Sequence, residues 1–176
     1  MRKRLFWWEL AGFLFVSGMG VFLHFLYEWS GGNLFAAVIS GVNESTWEHM
    51  KLFFVSTALF TVIQMIFIGR FYPNFLAART VSLLVGVSLI PVLFYTYSGV
   101  LGACVDWVNI SIFFLAILAM FLLDSRLLRK GRFSAAWQQV LALAVLWILM
   151  LCFVWCTFRP PHLGLWQDPR NGTFGI

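Results

Sequence analysis

Five runs of apolar residues, four of them at least 20 residues long and the fourth run (108–123) shorter, occupy most of this 176-residue chain. A transmembrane helix needs roughly 20 largely apolar residues, and a bilayer accommodates the backbone only as helices or closed barrels. The alternating strand pattern of a barrel is absent from the sequence. Charged residues make up 11% of the chain, against roughly 25% in soluble domains. We therefore predict an all-α membrane helical bundle, one transmembrane domain over residues 1–176, with spans at about 5–27, 52–71, 81–100, 108–123 and 135–158.

The basic residues predict how this bundle is oriented. Lys and Arg concentrate on the cytoplasmic side of membrane proteins. A cytoplasmic N-terminus places nine of them inside (Arg2, Lys3, Arg4, Arg70, Arg79, Arg126, Arg129, Lys130 and Arg132) and three outside (Lys51, Arg159 and Arg170). The sequence thus predicts a multi-pass protein of the cell membrane with an extracytoplasmic C-terminus. The net charge of +5 reflects this bias, so it gives no reason to expect nucleic-acid binding.

Most of the remaining polar chemistry gathers at the predicted outer face. All three histidines and five of the seven acidic residues fall there: His24, His49, His162, Glu28, Glu44, Glu48, Asp106 and Asp168. Ionisable groups at membrane depth are costly and mark functional sites by default. The outer face is therefore where a site is expected.

Helical spacing groups some of these residues. His24 and Glu28 stand four apart on the first helix and share a face, and Gly20 on the same stripe leaves room for a neighbouring helix. Ser45 and Glu48 form a capping-box pattern that starts the second helix. Between these helices, Gly31-Gly32 breaks the chain, and the short apolar run 34–42 predicts an interfacial helix.

Glu44, Glu48 and Lys51 share a helix face, with His49 beside Glu48. For Glu44 and Lys51 a structural role is the favoured interpretation, with Lys51 as the ion-pair partner of Glu48. Glu48 also has a structural interpretation as a capping carboxylate. Together, Glu48 and His49 are equally consistent with a functional pair.

The C-terminal segment 159–176 is predicted to fold as an ordered tail. Pro160 and Pro161 end the last helix, and Asp168-Pro169 and Asn171-Gly172 are turn signals. The tail contains apolar residues that need burial: Leu163, Leu165, Trp166, Phe174 and Ile176. We expect it to cover the outer face as a lid and to bring His162 and Asp168 toward the helix pairs.

Two stretches carry a resemblance to a known family. Asn43-Glu-Ser-Thr-Trp-Glu-His-Met-Lys51 matches the pattern N-E-S-x-W-E-H-x-K, and the tail matches P-P-H…D-P…G-x-F-G-I. In these motifs, and along its whole length, the chain resembles a family of small uncharacterised bacterial integral membrane proteins. The resemblance implies a membrane fold and location and assigns no chemistry.

The first functional hypothesis is a metal-dependent hydrolase or transferase acting on a lipid or lipid-linked substrate. His and carboxylate ligands suit zinc or another divalent metal, and a catalytic zinc site keeps one position open for water. The candidate metal ligands are His24, Glu28, His49 and His162. The candidate catalytic residues are Glu48, His49, Lys51 and Asp168.

Two alternatives remain open from the sequence. In metal-free acid–base or phosphoryl chemistry, His49 or His162 would act as base or nucleophile, and Lys51, Arg159 or Arg170 would hold phosphate. In the other, the protein is a non-enzymatic binding, assembly or transport subunit, and the polar cluster is a structural network. The bilayer is the one partner that the sequence identifies.

Overall fold

The fold is a bundle of long helices. A computed structural model describes residues 2–176, with side chains from residue 3 onward. Over these residues there are six α-helices and a short 3-10 turn, and the sole β-bridge joins Gln167 to Phe174. The helices are α1 (Arg2–Trp29), α2 (Leu34–Ile39), α3 (Thr46–Phe67), α4 (Phe75–Leu101), α5 (Asp106–Lys130) and α6 (Ala136–Phe158), and the 3-10 turn is Gly69–Phe71.

Five of these helices, all except α2, are long and apolar enough to cross a membrane. The predicted multi-pass helical bundle, with its short extra helix and ordered tail, is therefore confirmed. Several helices run beyond the predicted spans. For example, α5 continues to Lys130, where Gly131 adopts a left-handed backbone with φ of 62°. Hydropathy marks only the apolar part of a helix, whereas the hydrogen-bonded helix ends at such a glycine.

The alternating helices give the bundle two chemically different ends. The histidine end comprises segment 29–48, the α4–α5 connection at 102–106 and the tail 159–176. The basic end comprises the N-terminus, segment 68–74 and the α5–α6 connection at 131–135. These ends correspond to the predicted outer and inner faces.

The core lies mainly around α3, which packs against α1, α4, α5 and α6. Phe53 of α3 is fully buried and meets Phe113 of α5 edge to face, with ring centroids 6.2 Å apart. A Cβ atom at Gly20 would lie 2.6 Å from the Phe113 ring. The space that Gly20 was predicted to leave for a neighbouring helix is therefore occupied by α5.

A cluster of polar side chains around Arg79 is buried in the half of the bundle nearer the basic end. The Arg79 guanidinium, 0% exposed, lies 2.8 Å from Asp124 Oδ2 and 3.8 Å from Glu9 Oε1. Gln64 donates to Glu9 Oε1 at 2.8 Å and accepts a hydrogen bond from Arg79. Arg79 therefore links α1, α3, α4 and α5 from inside the bundle.

This burial corrects part of the charge count. Arg79 was predicted to lie on the cytoplasmic side and Lys51 on the outer side, yet both side chains are 0% exposed. Buried charges need ion-pair partners, and both have acidic partners, Asp124 and Glu48. Eight basic residues then remain near the basic end and two near the histidine end, so Lys and Arg still concentrate at the basic end.

Candidate metal centre

The first turn of α3 brings two candidate ligands together. Ser45 caps the helix, its hydroxyl oxygen accepting a hydrogen bond from Glu48 N at 3.3 Å. Asn43 Oδ1 accepts from Ser45 N at 2.9 Å and shapes the turn before the cap. Glu44 therefore directly precedes the cap, and His49 is the fourth helical residue. Side chains at these two positions meet at a helix start, as in the hydrophobic staple.

The three side chains of His24, Glu44 and His49 form a compact cluster. Glu44 Oε2 lies 3.5 Å from His24 Nε2 and 3.7 Å from His49 Nε2. The two imidazole rings have centroids 5.4 Å apart. One ligand atom from each residue lies within 4.8 Å of the other two. Each side chain is partly buried, with 22–31% exposed.

These distances suit a tetrahedral metal ion. Zinc bonds of about 2.0–2.1 Å to nitrogen and oxygen place neighbouring ligand atoms about 3.4 Å apart. The separations of 3.5 and 3.7 Å need little closure to reach that value. Two histidines and one carboxylate make a three-ligand set, which leaves a fourth position for water or substrate.

The hydrogen bond of His49 fixes its tautomer. Nδ1 lies 2.9 Å from the carbonyl oxygen of Ser45. A carbonyl oxygen only accepts, so Nδ1 carries the proton, and in the neutral ring Nε2 presents its lone pair to Glu44. A lone pair facing a carboxylate is accommodated by a cation or a bridging water between them, or by a proton on the ring. His24 Nδ1 is buried without a hydrogen-bond partner, and Nε2 is the nitrogen that faces Glu44.

The C-terminal tail holds this turn in place. Asp168 is 4% exposed, and its carboxylate accepts from Glu44 N at 3.1 Å and from Arg170 N at 2.8 Å. The Leu165 carbonyl accepts from Trp47 N at 3.0 Å. One buried carboxylate thereby fixes the backbones of Glu44 and Arg170 relative to each other.

Further tail contacts explain the glycine near the C-terminus. Asn43 Nδ2 donates to the Gly175 carbonyl at 3.1 Å, and the Trp47 and Trp166 rings lie 4.9 Å apart. Gly175 has a φ of 61°, and a Cβ there would be 2.8 Å from the Thr157 carbonyl. The tail therefore docks on the histidine end, as its apolar residues predicted, and it needs glycine where it meets α6.

Charge around Glu44 is mixed. The Arg170 guanidinium lies 3.7 Å from Glu44 Oε1 and 3.2 Å from Asp106 Oδ1. The pKa of Glu44 is lowered to about 2, mainly because the His24 ring donates a hydrogen bond to its carboxylate. The charges on His24, His49 and Arg170 add to this effect. Glu44 is thus ionised at neutral pH, as a metal ligand must be.

The cluster faces a cavity of about 750 Å³ between α1, α3, α4, α5 and the tail. Its volume falls in the range of about 300–1,000 Å³ typical of small-molecule sites. His24, Glu44, His49, Asp106 and Arg170 line the polar part. The remaining wall is largely apolar and includes Val21, Phe25, Ile90, Phe94, Ile110 and Phe113.

Two of the four predicted metal ligands lie apart from the cluster. Glu28 is exposed in the last turn of α1, where water solvates its charge at little cost. His162 is exposed directly after Pro160-Pro161, and its ring packs on Phe174 with centroids 4.7 Å apart. Neither residue lines the cavity. Of the predicted ligands, His24 and His49 therefore lie together beside Glu44, whereas Glu28 and His162 lie outside this cluster.

Glu48 and Lys51, predicted to be catalytic, lie in a closed buried network. Lys51 Nζ is 2.6 Å from Glu48 Oε2 and donates to Thr157 Oγ1 at 2.7 Å and to the Ala37 carbonyl at 2.9 Å. Glu48 accepts from Thr157 at 3.1 Å and from Val42 N at 3.1 Å. The network ties α2, α3 and α6 together, and neither Glu48 nor Lys51 lines the cavity.

The sequence interpretation missed Glu44 as a ligand. Its helical spacing to Glu48 and Lys51 favoured a structural role, but Glu44 precedes the helix, so that spacing does not apply. The signal available was its place before the Ser45 cap, five residues from His49. Asp106 and Arg170 were not among the candidate metal ligands or catalytic residues, although Arg170 was considered for phosphate binding, because only the folded tail brings them to the cavity.

Comparison with known proteins places this site in a family. A family model whose description reads "Family of unknown function (DUF6512)" covers residues 2–176. The chain belongs to this family. No curated protein and no solved structure matches the chain. Membership in DUF6512 extends over all five membrane helices and the tail, so the chemistry must be argued from the site itself.

Proposed function

We propose that this DUF6512 protein is a divalent-metal-dependent hydrolase or transferase of the membrane, acting on a lipid or lipid-linked substrate. Its metal ligands are His24, Glu44 and His49. The observation that carries the proposal is that the Nε2 atoms of His24 and His49 lie 3.5 and 3.7 Å from one Glu44 carboxylate oxygen, with one ligand atom from each residue within 4.8 Å of the other two, at the wall of a large cavity.

The ligand set supports a catalytic rather than a purely structural metal. Structural zinc sites are usually closed by four protein ligands, whereas catalytic sites use three and keep one open. A divalent metal held by three ligands lowers the pKa of a bound water toward about 7 and polarises a carbonyl or phosphoryl oxygen. In hydrolysis, the water oxygen bonds to the electrophilic carbon or phosphorus, the bond to the leaving oxygen breaks, and a water proton ends on that oxygen. In transfer, an acceptor hydroxyl replaces water.

The cavity supports a substrate with an apolar part. Its aliphatic and aromatic wall comes from membrane helices α1, α4 and α5, so it lies at bilayer depth. The polar cluster stands at the histidine end of that cavity. A molecule with a chain in the bilayer and a reactive group near its surface fits both features.

The charge bias supports an orientation for this chemistry. Eight basic residues remain near the basic end after the buried pair is set aside, so we place that end in the cytoplasm. The histidine end then faces the outside of the cell membrane, and the substrate comes from the outer leaflet.

Residues outside the metal cluster take supporting roles in this proposal. Asp168 positions the Glu44 backbone through a hydrogen bond of 3.1 Å. Glu48 and Lys51 hold the start of α3, and therefore His49, against α2 and α6. They act on the reaction through this positioning and not by contact with substrate.

The test is metal-dependent turnover in a bilayer. The purified protein is placed in nanodiscs of extracted membrane lipids, and lipid products are followed by mass spectrometry. We expect products to form with zinc, to stop after chelation and to return when zinc is restored. His49→Ala should abolish turnover, and the control His162→Ala, which changes an exposed histidine outside the cluster, should retain it.

Three results would contradict the proposal. They are turnover that survives chelation, equal turnover in His49→Ala and wild type, and zinc binding with no lipid product. The last would favour the non-enzymatic alternative, in which the bound metal or polar network serves assembly.

A further inference from the structure

We infer that the substrate carries a phosphate group beside its apolar chain, and that Arg170 binds this phosphate next to the metal. The inference deepens the proposed function and rests on it. It names a class, phosphate-bearing lipids, and a residue that sequence analysis considered only for metal-free chemistry.

The position of Arg170 is built into the fold. Its backbone N–H donates to buried Asp168 at 2.8 Å, and the other oxygen of that carboxylate accepts from Glu44 N. The Asp168 side chain therefore fixes the backbone of Arg170 relative to the backbone of the metal ligand Glu44. The outcome is a guanidinium nitrogen 3.7 Å from Glu44 Oε1, so one ligand group can touch both the arginine and a metal at the cluster.

The guanidinium is also available to a ligand. Arg170 is 59% exposed and its partner Asp106 is 75% exposed. An exposed ion pair of this kind is weak because water screens its charges, so exchanging Asp106 for a phosphate costs little. Arginine binds phosphate through two parallel N–H donors, which gives both affinity and orientation.

The charge of the cavity explains why a phosphate would bind only with metal present. Its acidic residues are Glu44 and Asp106, and its basic residue, apart from the two histidines, is Arg170. With neutral histidines the wall carries a net charge of −1, which disfavours an anion. A divalent ion changes this to +1, and a phosphate then bridges two cations. Metal and phosphate should therefore bind cooperatively.

The apolar wall selects a lipid over a soluble phosphate. Ile90, Phe94 and Phe113 line the cavity below the charged groups. Such a wall accommodates the apolar chain of a lipid that is already held in the bilayer, and the lipid presents its phosphate to the cavity at a high local concentration. Free phosphate gains nothing from that wall, so it should bind more weakly than a phospholipid headgroup with its chain.

The experiment measures zinc affinity as a function of lipid. The full chain is reconstituted in phosphatidylcholine nanodiscs, alone or with phosphatidic acid, and zinc is titrated against a competing chelator dye. Inorganic phosphate with phosphatidylcholine alone forms a third arm. We expect phosphatidic acid to tighten zinc binding about tenfold, within the usual range of coupling between sites, and inorganic phosphate to do less.

Two variants test whether Arg170 is responsible for the coupling between zinc and phosphatidic acid. Arg170→Gln should still bind zinc but lose the effect of phosphatidic acid. Arg159→Gln, the matched control, should keep it, because Arg159 lies over Trp155 at the end of α6 and does not line the cavity.

The outcomes separate the two proposals. Zinc binding that is indifferent to phosphatidic acid, or coupling kept in Arg170→Gln, overturns this inference and leaves the metal site standing. Equal coupling by inorganic phosphate and phosphatidic acid overturns the lipid assignment. Failure of every sample to bind zinc overturns the proposed function itself.

Discussion

Replacing Lys51 by methionine should destabilise the protein severely. The side chain is 0% exposed and its ammonium meets three acceptors, Glu48 at 2.6 Å, Thr157 at 2.7 Å and the Ala37 carbonyl at 2.9 Å. Methionine fills similar volume and removes the charge, which leaves the Glu48 carboxylate buried without its counter-ion. Breaking a buried ion pair from one side costs about 3–5 kcal/mol. We expect a loss of that size in the free energy of unfolding.

The measurement is denaturant unfolding in detergent micelles, followed by circular dichroism. Lys130→Met is the control, because Lys130 is exposed at the end of α5 and should change stability by less than about 0.5 kcal/mol. The double variant Glu48→Gln/Lys51→Met should recover much of the loss, since no unpaired charge is left. A loss below about 1 kcal/mol in Lys51→Met would refute the structural role assigned to this network.

Two further predictions concern packing and pH. Gly86→Ala should destabilise the bundle by about 1–3 kcal/mol, because its Cβ would overlap the buried Phe53 ring. The control Gly99→Ala, on the same helix, should leave stability unchanged because its Cβ would meet nothing within 4 Å. Equal melting temperatures for the two variants would contradict the prediction. The lowered pKa of Glu44 predicts a stability contribution that is complete above its ordinary value of 4.5 and is lost as pH falls to about 2. Acid unfolding should show this loss in wild type and lack it in Glu44→Gln, and identical acid profiles would show that Glu44 does not contribute.

The membrane fold could be predicted because one contribution, the burial of apolar surface away from water, dominates its free energy. Burying so much apolar surface requires a bilayer, and a bilayer requires helices. Helix ends were less predictable, since α5 extends beyond its apolar run until Gly131 permits a left-handed turn. Arg79 and Lys51 were counted among the basic residues of the two membrane faces because hydropathy does not show where a charge has a buried partner. Asp124 meets Arg79 only in the packed bundle. Glu48 lies one turn before Lys51 on α3.

The candidate site was predictable to the extent that local geometry determines it. His49 follows from the start of α3, and His24 from its depth on α1. Glu44 required a rule for the residues around a helix cap instead of helical spacing. Arg170 could not be placed at all, because its position depends on the tail fold that Asp168 fixes through backbone hydrogen bonds.

The most direct test of the metal site is the zinc K-edge X-ray absorption spectrum of the purified, zinc-loaded protein. We expect one zinc per chain, bound by two imidazole nitrogens and by oxygen at about 2.0–2.1 Å. His24→Ala and His49→Ala should lose this spectrum, and His162→Ala should keep it. Absence of stoichiometric zinc, a shell of three imidazoles that depends on His162, or sulfur ligation would contradict the assignment of His24, Glu44 and His49 as the metal ligands.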